Sequence, residues 1–148
     1  MDKDIFPGGK PNPRLIYAGY IFALGLSYVA VKTLRLNVTP GINPETGAAL
    51  YMPFVYAAII TAALGFWIPK LIEKFLEKEK NNRNEMYPEK RIDSNTLYTC
   101  IMVKGSSFFG VSLYGAMLGL VGVEWNRVLY FYAAALLLLA VTFPGNPD

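Results

Sequence analysis

Lys104 is the first residue whose type and position could do chemistry. It is the one charge within a long apolar stretch, Ser94 to Gly122, reading SNTLYTCIMVKGSSFFGVSLYGAMLGLVG, and the next charge after it is Glu124. In a bilayer, an ammonium either snorkels to the headgroups or faces a polar interior. Both readings are open. If the hydrocarbon begins near Val103, Lys104 stands at the cytoplasmic edge and its stem carries the charge out. If instead it faces a bundle interior beside Ser106, Ser107 or Tyr98, it is a candidate contact for an anionic solute or a lipid headgroup.

Other reactive groups are scarce. The chain has no histidine and a single cysteine, Cys100, so the commonest metal ligand and the commonest neutral-pH general base are missing and no intrachain disulfide can form. The apolar runs contain no Asp or Glu, the groups on which proton and cation pathways in bilayers usually rely. No catalytic residue, metal or cofactor is expected, and the chain is not read as an enzyme. Cys100 near an interface could be acylated or simply packed. The tyrosines suit interfacial anchoring or hydrogen bonding between helices.

The elements that carry these residues follow from composition. Of 148 residues, 53% are hydrophobic and 17% charged, against about 25% charged in an average soluble domain. The charges crowd into short blocks with long uncharged runs between them. A helix needs about 20 apolar residues to span a bilayer, and four stretches approach this: Leu15 to Val31, Tyr51 to Ile68, Ser94 to Gly122 and Val128 to Phe143. The predicted fold is an all-α integral membrane bundle of four transmembrane helices. It forms one membrane domain over residues 1–148: a polar lead-in (1–13), a first helical hairpin (14–72), a charged cytoplasmic linker (73–93), a second hairpin (94–143) and a tail (144–148). The lead-in mixes charges with Pro and Gly, unlike a signal peptide, so the first segment is expected to stay as an uncleaved anchor.

Local signals refine this outline. Pro53 suits a first helical turn. A helix continuing through Pro69 would bend, and Trp67 before it fits an interfacial anchor. From Lys70 to about Lys80, Leu71, Ile72, Phe75 and Leu76 alternate with charges at helical spacing, an amphipathic cytoplasmic extension near the membrane surface or a solvated helix end. Asn37-Val38-Thr39 matches a glycosylation sequon, which short sequences often do by chance. The second and fourth segments share Phe54-Val55-Tyr56-Ala57-Ala58 and Phe131-Tyr132-Ala133-Ala134, a pattern that duplication or common composition can give.

Small residues mark helix-packing faces. On the first segment these are Gly19, Ala23 and Ser27, spaced four apart. On the third they are Ser112, Gly115, Gly119 and Gly122, with Gly115 and Gly119 forming a GxxxG. The function these faces predict is a non-catalytic subunit or accessory and assembly factor, packing against other membrane-protein subunits or a copy of itself, with membrane lipids around it. The alternative is an oligomeric transport or channel component with Lys104 lining an anion or headgroup site. The net charge of +3 carries no basic stripe with interleaved aromatics, so nucleic acid is not an expected partner.

Lys and Arg set the orientation. Lys3, Lys10 and Arg14 precede the first segment. Lys70, Lys74, Lys78, Lys80, Arg83, Lys90 and Arg91 lie between the second and third. The other connections hold only Lys32, Arg35 and Arg127. Positive residues stay on the cytoplasmic side, so both termini are expected to be cytoplasmic, in a bacterial inner (plasma) membrane.

Overall fold

The computed structural model describes residues 12–37, 44–82 and 94–144. The lead-in before Asn12, most of the connection after Asn37 with the last two sequon positions, the linker over 83–93 and the tail from 145 lie outside the described residues. Among those described, every element is helical: α1 (Pro13–Asn37), α2 (Pro44–Asn82), α3 (Ser94–Leu120) and α4 (Trp125–Val141).

Helix ends follow local chemistry. Asn12 caps α1, its side-chain oxygen accepting the Arg14 N–H at 3.0 Å, and Pro13 fills the first helical position, where no N–H is needed. The helix starting at Pro44 uses a second proline the same way, seven residues before the expected start at Tyr51. Pro53 therefore sits inside α2 and not in its first turn. Pro69 is also internal, so the second segment and its amphipathic extension form one helix of 39 residues, about 58 Å long.

The turn between α3 and α4 is built on Gly122. Its φ is 94°, a left-handed conformation that glycine adopts without a Cβ penalty. The Gly122 N–H donates to the Gly119 carbonyl at 3.3 Å and the Val123 N–H to the Leu118 carbonyl at 3.1 Å. This pair of bonds is a Schellman cap, and its usual apolar contact is supplied by buried Val123 and Leu118. Gly122 is thus a cap. It was expected to extend the packing face of α3, but the turn uses it first.

The helices run alternately up and down. Tyr17 lies near Thr142, and Val31 lies near Gly119. Packing departs from two separate hairpins. α3 packs against all three other helices, while α1 packs on α3 and α4. Among the described residues α1 and α2 share no substantial interface. The α3–α4 hairpin does pack, but the first expected hairpin is opened around α3, because α3 offers small residues on more than one side. The buried share of the most apolar window is 44% in α3, against 17% in α1 and 11% in α2.

The outer surface is apolar. Phe22, Leu26, Val29, Tyr56, Ile59, Ile60, Trp67, Leu137 and Val141 are all exposed. α1, Glu45–Leu76 and Thr96–Leu120 are long and apolar enough to cross a membrane, and α4 is a shorter apolar helix.

Candidate functional site

Ser112, Gly115 and Gly119 of α3 face the chain's own helices. Ser112 is fully buried, its hydroxyl donating to the Phe109 carbonyl at 2.7 Å. A Cβ on Gly115 would stand 2.6 Å from the Phe131 Cβ and 3.2 Å from the Val128 carbonyl. One on Gly119 would stand 2.9 Å from a Val31 methyl and 3.5 Å from Val128. These glycines seat α4 and α1, so the stripe is covered within the chain.

The three small residues of α1 do not form one packed face. A Cβ on Gly19 would meet nothing within 4 Å. Ala23 is half-buried. The Ser27 hydroxyl hydrogen-bonds the Tyr132 hydroxyl at 3.1 Å. The cause is geometric: at 3.6 residues per turn, a four-residue spacing drifts about 40° per step. Two steps carry the position from the outer surface to the α4 interface.

Sequence reasoning missed Gly65 and Gly105. A Cβ on Gly65 would stand 2.8 Å from the Ser107 Cβ and 2.9 Å from the Phe108 ring, and Phe108 is fully buried there. Gly105 lies beneath the Tyr20 ring, which a Cβ would strike. A signal for Gly65 existed: Ala58, Ala62, Gly65 and Pro69 recur at spacings of four, three and four on α2. Tyrosine hydroxyls add polar ties between helices. Thr61 and Tyr114 hydroxyls meet at 3.0 Å, Tyr20 and Ser106 at 2.8 Å, and Tyr17 donates to Thr142 at 3.4 Å.

Lys104 is half-buried on α3. Two of the groups expected to accompany it are engaged elsewhere, Ser106 with Tyr20 and Ser107 against Gly65. Cys100, one turn before Lys104, is buried with its thiol directed at the Pro69 carbonyl at 3.8 Å. No cluster of His, Cys, Asp and Glu suited to a metal occurs among the described residues.

Among the described residues, an apolar groove of about 260 Å³ lies between α2 and α4. Val55, Ala58 and Ala62 form one wall, Ala134 and Leu138 the other, with Val111 of α3 at the floor. Tyr51 and Tyr130 also line it, and the Arg127 guanidinium lies 5.2 Å over the Tyr51 ring. Two more cations at this end of the bundle rest on aromatic faces: Arg35 over Trp125 at 5.6 Å and Lys32 over Tyr28 at 6.0 Å. Arg35 also donates to the Val123 carbonyl.

Comparison with protein-family models, with curated proteins and with solved structures finds no match to this chain.

Proposed function

We propose that this chain is a multi-pass integral membrane protein with a non-catalytic role, an accessory subunit that receives a transmembrane helix of another membrane protein. The groove between α2 and α4 carries this reading. Its alanines leave a shallow channel on the outer surface, and small residues let a helix backbone approach closely in lipid, where van der Waals packing drives association. The stripe on α3 is occupied by α4 and α1, which leaves the groove as the surface for a partner. A second copy of the chain is the other occupant of the same chemistry.

All four helices span the bilayer in this reading, with both termini and the central linker cytoplasmic. From Lys104 to the end of α3 at Leu120 is sixteen residues, about 24 Å of helix, before the chain turns at Gly122. From Arg14 to Lys32 is eighteen, about 27 Å. α4 has 17 residues, about 25 Å, and Trp125 and Tyr130 suit an interfacial position for its start. A reporter inserted after Asn43 that works only in cytoplasm should be silent.

A photo-cross-linker at Ile59 or Ala134 tests the groove in native membranes. A discrete adduct with another membrane protein, absent when the cross-linker is moved to Phe22 on α1, is the expected result. Adducts with lipid alone at both groove positions would defeat the accessory reading. The transport alternative has weaker support, because the Ser106 hydroxyl is bonded to Tyr20 of α1 and Ser107 packs its Cβ against α2 at Gly65.

A further inference from the structure

We infer that the end of α2 beyond Trp67 is a docking surface for anionic phospholipid, with Leu71 and Phe75 entering the acyl boundary and Lys70, Lys74 and Lys78 contacting lipid phosphates. This rests on the membrane placement proposed above and not on the groove. Along α2, Tyr56, Ile60, Leu64, Trp67, Leu71 and Phe75 fall at spacings of four, four, three, four and four, one continuous seam. All six are exposed. The seam does not stop where an interfacial Trp would mark the edge of the hydrocarbon. It runs on to Leu71, 51% exposed, and Phe75, 76% exposed, about 6 and 12 Å past Trp67 along the helix.

Three lysines share one flank of this extension, and Glu73, Glu77 and Glu79 take other positions around the helix. Lys70, Lys74 and Lys78 are exposed and four residues apart, and at about 100° per residue they line one flank of the Leu71–Phe75 seam. Glu73 falls on the far side of the helix. On the other flank of the seam stand Ile72 and Leu76, both half-buried. A basic row bordering exposed apolar side chains is the pattern that binds an anionic membrane surface, the apolar face sinking about 5–10 Å into the headgroup and acyl boundary. The proposed topology puts this row in the cytoplasmic leaflet, where anionic lipids attract juxtamembrane Lys and Arg.

An environment-sensitive fluorophore attached at Phe75→Cys, in a Cys100→Ala background, reads the docking. The full chain is reconstituted into phosphatidylcholine vesicles with and without phosphatidylglycerol. Emission at 75 should become apolar when phosphatidylglycerol is present and stay closer to aqueous without it. A label at Glu73→Cys should remain aqueous in both. Replacing Lys70, Lys74 and Lys78 together by Gln should abolish the phosphatidylglycerol response, at about fivefold per lysine in the ratio of docked to undocked label, and replacement by Arg should keep it. Aqueous emission at 75 in both lipids, or a Gln variant that responds like the parent, overturns the inference. A label shielded in native membranes but aqueous in both vesicles also overturns it, assigning the surface to a protein partner. If the chain fails to float with vesicles, the membrane placement itself falls.

Discussion

The Phe108 ring of α3 lies over Gly65 of α2, 2.9 Å from where a Cβ at that position would stand. Because the Ser107 Cβ crowds the same point at 2.8 Å, neither neighbour can yield by swinging a flexible end. Gly65→Ala should therefore destabilise the bundle by about 1–3 kcal/mol, the usual effect of overpacking. Gly19→Ala and Gly25→Ala make the contrast, since each opens onto empty space and alanine is the better helix former by about 1 kcal/mol. Thermal unfolding in detergent should rank Gly65→Ala below the parent, with both α1 variants at or above it.

Gly122 makes a different demand. Its φ of 94° requires a left-handed residue, which costs an ordinary side chain about 1–2 kcal/mol. Gly122→Ala should lower the unfolding midpoint. Gly122→Asn should lower it less, because Asn tolerates this region. Equal losses from the two would mean that space, and not backbone conformation, limits the site.

The Ser27 to Tyr132 bond joins α1 to α4 at 3.1 Å. Tyr132 is buried, with Tyr28 edge-on at 5.5 Å, so Tyr132→Phe removes the hydroxyl and keeps the packing. A double-mutant cycle with Ser27→Ala, run by denaturant titration in detergent, should give a coupling of about 0.6 kcal/mol, the average for hydrogen bonds between membrane helices. Additive losses would remove this tie from the account of how α1 is held.

Lys104 stands about 24 Å along the helix from the end of α3 at Leu120, so in the proposed topology its ammonium should reach cytoplasmic water. In a Cys100→Ala background, Lys104→Cys should react with a membrane-impermeant maleimide from the cytoplasmic face. Lys104→Leu should leave the unfolding midpoint unchanged or raised, since a lysine held at the edge contributes little packing. Protection of the thiol from both faces, with destabilisation by Leu, would favour the interior anion site.

How legible this fold is from sequence depends on what each residue reports. Length and charge spacing suffice for the helices, because an uncharged run with Arg14 before it and Lys32 after it has few other structures available. The α3 stripe is legible because Ser112, Gly115 and Gly119 alternate spacings of three and four, which holds a straight face. On α1 the uniform spacing of four drifts, so Gly19 and Ser27 point apart. The packing order is not legible at all. Which helix lies against which is decided by pairwise fits such as Phe108 on Gly65 and Tyr20 on Gly105, and a single sequence shows each glycine without the ring that fills it. The groove escaped notice for the same reason, since Ala62 and Ala134 become neighbours only once α3 has set the distance between α2 and α4.

The lack of a substantial α1–α2 interface among the described residues bears on how the protein is made. In the proposed membrane placement a ribosome delivers these segments in order, and when the first two have emerged they have no broad surface with which to recognise each other. They must wait as separate passengers, open to chaperones and to wrong neighbours, until the third arrives to gather them. Biogenesis is therefore most vulnerable between the second segment and the third, an interval that the long charged stretch between them extends.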